Sequence, residues 1–154
     1  MSETSVVLLG VGAIGRELLR QLATNYRTST RRIRICGLID RSGYVFESAG
    51  LSWRRVMELR ALKESGTSLA QSEGGTASPP EASVAALTTR LPRRSILVDA
   101  TAADTQPLLE AALQKGFDLV LANKLPLAGG QSAFDRLHAI ADARGRRVAH
   151  EATV

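Results

Sequence analysis

Gly10, Gly12 and Gly15 stand in the spacing Gly-x-Gly-x-x-Gly directly after the apolar run Val6-Val7-Leu8-Leu9. Between a strand and a helix, that spacing builds a turn that holds a pyrophosphate. Gly10 permits the tight turn, Gly12 lets the anion approach the backbone, and Gly15 lets the helix pack close to the strand. Free amides at the helix start, with the helix dipole behind them, attract the negative charge. Asp40 closes the next apolar run, Ile33 to Ile39, where a carboxylate can accept from the hydroxyls of an adenosine ribose. It favours NAD, since a 2'-phosphate would meet its charge. Arg41 beside it can pair with such a phosphate, so NADP stays open.

In such a fold the other ligand groups lie at the carboxyl ends of later strands. Here those ends read Val98-Asp99-Ala100-Thr101-Ala102 and Leu121-Ala122-Asn123-Lys124. Lys124 is one of three lysines, with Lys63 and Lys115, and alone falls at such an end. Other chemistries find no support. The single Cys36 sits inside an apolar run and is expected to be a buried small hydrophobe, since one thiol builds neither a disulfide framework nor a multi-thiolate metal site. His138 and His150 read as packing or surface residues. There is no Gly-x-Ser-x-Gly elbow and no His-Glu-x-x-His helix, so hydrolase and zinc chemistry have no basis.

The elements that must position these residues follow from periodicity. Five apolar runs, beginning near residues 6, 33, 95, 117 and 146, alternate with segments of helical spacing at about 14–25, 53–64, 81–89, 105–115 and 131–144. That alternation predicts an α/β fold of Rossmann type: a doubly wound, mostly parallel sheet in three layers, α/β/α. Residues 1–154 form one nucleotide-binding domain. The stretch 65–80, poor in large apolar groups and rich in Gly, Ser and Pro, is expected to be a flexible loop.

Composition sets the outer limits. The chain has 154 residues, 44% hydrophobic and 23% charged, enough for one core without disulfide staples. No apolar run reaches the roughly 18 residues of a membrane span, and no signal peptide opens the chain; a cytoplasmic protein without a membrane partner is expected. A net charge of +5 makes nucleic acid worth weighing as a partner. However, the arginines gather as Arg27, Arg31, Arg32 and Arg34, as Arg90, Arg93 and Arg94, and as Arg144, Arg146 and Arg147, each group before a strand-like run. They are expected at helix C-termini, where they offset the dipole, so no nucleic-acid partner is expected.

Taken together, the glycine turn with Asp40, Val98-Asp99-Ala100-Thr101, Ala122-Asn123-Lys124 and His150-Glu151-Ala152-Thr153-Val154 resemble the N-terminal nucleotide-binding domain of homoserine dehydrogenase. The resemblance covers nearly the whole chain. It implies hydride transfer between L-homoserine and L-aspartate 4-semialdehyde. Pyrophosphate contacts would come from Gly10, Gly12, Ala13, Ile14 and Gly15, and a ribose contact from Asp40. Thr101 and Ala102 would line the nicotinamide half, Asn123 would position the cofactor, and Lys124 would stand near the reacting oxygen. Glu151 and Val154 would begin a monovalent-cation segment. The family's C-terminal substrate and dimerisation domain is absent from the sequence, so an incomplete, inactive fragment of an enzyme that is a homo-oligomer when whole is expected. A non-catalytic NAD(H)-sensing module and the cofactor half of another amino-acid dehydrogenase, such as an aspartate dehydrogenase, remain alternatives.

Overall fold

The computed structural model describes residues 3–26, 32–128 and 130–150, with Leu127 described for its backbone alone. Seven strands, among them β3 (Gly43–Phe46) and β4 (Thr76–Ala77), form one sheet in the order β4-β3-β2-β1-β5-β6-β7. The strands β1 (Glu3–Leu9), β2 (Arg32–Ile39), β5 (Ile96–Asp99), β6 (Asp118–Leu121) and β7 (Val148–His150) are parallel. Their near-continuous apolar runs suit strands covered on both faces. The strand order runs outward in opposite directions from β1 and β5, which makes the gap beyond their carboxyl ends the topological switch point.

Helices α1 (Ala13–Asn25) and α2 (Trp53–Glu64) cover one face, and α3 (Pro80–Arg90), α4 (Gln106–Gln114) and α6 (Gln131–Arg144) the other. Leu19, Val56 and Leu59 pack with Leu8, Ile35 and Leu38 in the first core; Leu87, Leu109 and Leu113 pack with Val7, Leu97 and Leu119 in the second. Cys36 is fully buried in the second core, as its apolar setting predicts. In β1, β2 and β5 alternate residues serve the two cores, which is why these runs carry few polar breaks, whereas in β6 Leu119 and Leu121 both serve the second core and Val120 between them is exposed. A single turn of helix, α5 (Leu125–Ala128), follows β6.

The arginine groups divide. Arg90 and Arg144 lie in the last turns of α3 and α6 as expected, whereas Arg32 and Arg34 belong to β2 and pair with Glu3 of β1 at 4.0 and 3.4 Å. Arg27 and Arg31 lie outside the described residues.

A larger departure concerns 65–80. Instead of a featureless excursion, this stretch folds onto the β2 edge of the sheet. Strand β3 (Gly43–Phe46) turns back antiparallel to β2, and β4 (Thr76–Ala77) pairs antiparallel with β3. Between them a 3-10 turn at Leu69–Gln71 inserts Leu69, 1% exposed, into the first core. The remaining anchor is polar. The Asp40 Oδ1 accepts from Ser42 N at 2.8 Å, Ser42 Oγ at 2.5 Å and Gly43 N at 3.1 Å; Oδ2 accepts from Lys63 Nζ at 2.7 Å and Leu69 N at 2.9 Å. One leucine and one carboxylate thus do what an apolar run does elsewhere, so composition misreads the segment.

Burial disfavours the charged Asp40, but hydrogen bonds from Lys63, Ser42 and Leu69 outweigh it and hold the carboxyl below its ordinary value of 3.8. A depressed folded value means that Asp40 contributes stability above the unfolded value near 3.8, and that this contribution is lost as pH falls through the folded value. Lys63→Met should therefore flatten the decline in stability below about pH 4, measured by urea unfolding along a pH series. An unchanged slope would show that the pair does not link folding to protonation. Leu69→Ala should cost about 2 to 5 kcal/mol in the same assay at neutral pH. A loss below about 0.5 kcal/mol, the range of ordinary surface changes, would return the stretch to the status of a loose loop.

Candidate dinucleotide-binding site

The carboxyl ends of β1, β2 and β5 open into a cleft of about 830 Å³. At its centre, β1 passes into α1 through the glycine turn. Gly10 has φ +94°, and a Cβ there would stand 2.8 Å from Thr101 Cγ2. On Gly15 a Cβ would lie 2.3 Å from the Gly10 carbonyl oxygen, so helix and turn meet backbone to backbone. Gly12 differs: a Cβ on it would meet nothing within 4 Å. It is the N-cap of α1 and lines the cleft, with no side chain capping the helix and no acidic residue in the first turn. The open amides and the empty space beside Gly12 are the form of a cradle for an anion. Arg16 reinforces it, donating from Nη1 to Val11 O at 3.2 Å while lining the same cleft.

At one end of the cleft stand Asp40, Arg41, Ser42 and Lys63. Asp40 reaches it as a carboxylate already engaged by five donors, one of them the ammonium of Lys63 with its full positive charge. At the other end, Ala100 to Thr105 form the wall. Beneath them lies Asp99, 0% exposed. Its Oδ1 accepts from Thr101 N at 3.0 Å and Thr101 Oγ1 at 2.8 Å; its Oδ2 accepts from the Thr105 hydroxyl and from Asn123 Nδ2 at 3.2 Å. Asn123 also donates to Ala103 O at 2.7 Å, and its Oδ1 accepts from Leu125 N at 3.1 Å. The loops after β5 and β6 are therefore tied to each other through one buried polar cluster.

Of the residues that the sequence singles out, Gly10, Gly12, Ala13, Ile14, Asp40, Arg41, Thr101 and Ala102 all line the cleft. Gly15, Asn123 and Lys124 do not. Gly15 is buried beneath the turn, Asn123 turns inward at 3% exposure, and Lys124 is exposed beyond the end of β6. Glu151 and Val154 lie outside the described residues, and among those described no group of His, Cys, Asp and Glu could hold a metal. Both histidine rings pack on Phe134, with centroids at 4.4 Å for His138 and 6.1 Å for His150. Among the described residues no helix is long and apolar enough to cross a membrane.

Sequence reasoning overlooks Arg16, Ser42, Lys63 and Thr105, and gives Asp99 no role of its own. Lys63 reaches Asp40 from the end of α2, a contact that no local pattern announces. Asp99 did leave a signal: an acidic residue closing an apolar strand must be satisfied locally, and threonines follow it at 101 and 105.

The family model for the NAD-binding domain of homoserine dehydrogenase matches residues 10–151. Among solved structures, a hyperthermophilic archaeal homoserine dehydrogenase in complex with NADPH superposes with a TM-score of 0.79 at 24% identity, over 99% of this chain and 45% of that one. The homoserine dehydrogenase of Thermoplasma acidophilum gives 0.75 at 24%, over 98% and 44%, and that of S. aureus 0.63 at 19%, over 100% and 33%. This chain thus spans less than half the length of each of these enzymes. No curated protein sequence matches it. With the glycine cradle, the two-ended cleft and the matched family model in agreement, the chain belongs to the homoserine dehydrogenase family, as its NAD(P)-binding domain.

Proposed function

We propose that this chain holds the dinucleotide for hydride transfer between L-homoserine and L-aspartate 4-semialdehyde, with the substrate brought by the remaining length that its relatives have beyond the matched part. The observation that carries the reading is the open space beside Gly12, at the N-terminus of α1 and between Asp40 and Thr101. Gly10, Gly12, Ala13 and Ile14 would hold the pyrophosphate, and Gly15 keeps the turn narrow enough to do so. Asp40 would receive the adenosine ribose. Because Lys63 already offsets the Asp40 charge and Arg41 adjoins it, a 2'-phosphate is not repelled as by a free carboxylate, which supports use of NADP beside NAD. Thr101 and Ala102 would border the nicotinamide, whose chemistry when bound is to take a hydride from the alcohol carbon or return it. Asn123 would act from below, fixing the turn that carries Lys124. The ammonium of Lys124 would hold the substrate oxygen or carry its proton.

Substituting Gly12 separates binding from folding. Gly12→Val adds a side chain into open space, so the chain should keep its thermal midpoint while calorimetry shows NAD and NADP binding largely lost. Gly15→Ala should instead destabilise the fold, since its Cβ meets a backbone oxygen at 2.3 Å. Full cofactor binding by Gly12→Val would remove the pyrophosphate from this turn. Homoserine turnover requires the alcohol carbon to be held against the cofactor, a positioning that supplies several kcal/mol of barrier reduction. The 154-residue chain alone should therefore show no homoserine-dependent NADH formation. Joined to the catalytic domain of a relative it should gain that activity, and Lys124→Ala in the fusion should lower kcat by at least about tenfold with little change in NAD affinity. Turnover by the isolated chain would overturn this division of labour.

A further inference from the structure

Asp99 is a fully buried carboxylate in a place where a cation partner is expected and none is supplied. Its contacts are the Thr101 amide and hydroxyl, the Thr105 hydroxyl and the Asn123 amide, all neutral donors. Among the described residues no Lys, Arg or His forms an ion pair with it, whereas Asp40, at the opposite end of the same cleft, has Lys63 at 2.7 Å. The contrast is chemical, since both carboxylates end strands and both bind the loop that follows. Thr105 is also the N-cap of α4, so partial positive charge from that helix supports the anion without cancelling it. The nearby charges do not cancel it either. Arg16, Arg41 and Lys63 line the cleft around the turn and its far end; Asp104, on the same wall as Thr101, adds a second negative charge; and Lys124 is exposed, where solvent screens it.

We propose that Asp99 sets the preference of the site for the oxidised over the reduced cofactor, by placing an unneutralised negative charge behind the wall that borders the nicotinamide. The two forms of a nicotinamide dinucleotide differ by one positive charge on that ring and scarcely elsewhere. A fixed anion beneath Thr101 and Ala102 stabilises the cationic ring and leaves the neutral one unaffected. The neutral donors around Asp99 are what allow this: a lysine or arginine partner would satisfy the carboxylate equally well and abolish the field. The same cluster fixes Thr101 against Gly10 and the backbone around Asn123, so Asp99 acts through position and charge without touching substrate. It is a positioning residue of the cofactor site, and the inference rests on the cofactor reading given above.

The test compares NAD+, NADH and ADP-ribose binding to the 154-residue chain and to Asp99→Asn by calorimetry. Asparagine keeps an oxygen for Thr101, the Thr105 hydroxyl can rotate to accept from its amide, and the Asn123 amide, which loses Oδ2 as an acceptor, keeps Ala103 O at 2.7 Å. Asp99→Asn should reduce the preference for NAD+ over NADH about tenfold, the order that one unit charge gives across roughly 10 Å of protein at intermediate dielectric. Binding of ADP-ribose, which lacks the nicotinamide, should be unchanged. Equal losses for NAD+ and NADH would show a purely structural role and overturn the proposal, as would no change in either. A second variant avoids the buried cluster: Ala103→Asp adds a charge on the exposed rim of the same wall and, measured at low ionic strength where screening is weakest, should shift the preference further toward NAD+. If the preference does not move in Ala103→Asp, the electrostatic argument fails whether or not Asp99→Asn folds. A wild-type chain that binds neither the dinucleotides nor ADP-ribose would overturn the cofactor reading and this inference with it.

Discussion

Everything at the ligand edge of this domain depends on how closely the backbone of α1 approaches the turn that precedes it. The Gly10 carbonyl and the Gly15 backbone lie so near that no side-chain atom fits between them, and Gly10 is pressed in turn against Thr101. This contact sets where α1 begins, and therefore where its unpaired amides face. It also brings the loop after β5 against the turn after β1, so that the switch point becomes one continuous cleft instead of two separate crevices. A larger residue at Gly10 or Gly15 would move the helix off the sheet, whereas Gly12 serves the cleft and not the fold.

Two carboxylates then organise what surrounds the turn. Asp40 gathers the chain after β2, and Asp99 the chains after β5 and β6, each by accepting from its own following loop and from groups distant in sequence: Lys63 and Leu69 for Asp40, Asn123 for Asp99. Loops at strand ends have few apolar contacts to fix them, and an acceptor with about four lone-pair sites can collect backbone amides and hydroxyls together. These contacts are charge-assisted and stronger than neutral ones. The site walls are thereby nearly as well determined as the cores beneath them, which favours a cofactor site formed before its ligand arrives.

Most of this architecture was legible in the sequence because parallel strands buried on both faces leave long apolar runs, and the helices between them keep the spacing of one face. The five principal strands and five principal helices fall close to their expected places. What escaped is short or held by polar contacts. Strand β3 follows directly from a glycine turn, β4 is two residues long, and α5 spans one turn, all below the length at which periodicity speaks. The segment around Leu69 looked loose since a single leucine gives no pattern. Asp40 was recognisable from its place after an apolar run. Its partners Lys63 and Leu69 were not, because nothing local couples positions 23 and 29 residues away. Asn123 stood out by its neighbours, but only the fold shows that its amide turns inward to serve Asp99.

The edge formed by β3, β4 and the turn at Leu69 is fastened by the same Asp40 oxygens that face the cleft. On the proposed reading, a ribose hydroxyl donating to Asp40 would share lone pairs with Ser42, Gly43, Lys63 and Leu69, so the sheet edge and the ligand would compete for one acceptor. Competition of this kind is reciprocal: whatever loosens the edge frees the carboxylate, and whatever occupies the carboxylate loosens the edge. Residues between 66 and 78 other than Ser68, none of which lines the cleft, would then help to set how tightly it is held. This edge would then act as a trim on affinity, adjustable by mutation without disturbing the glycine turn between β1 and α1.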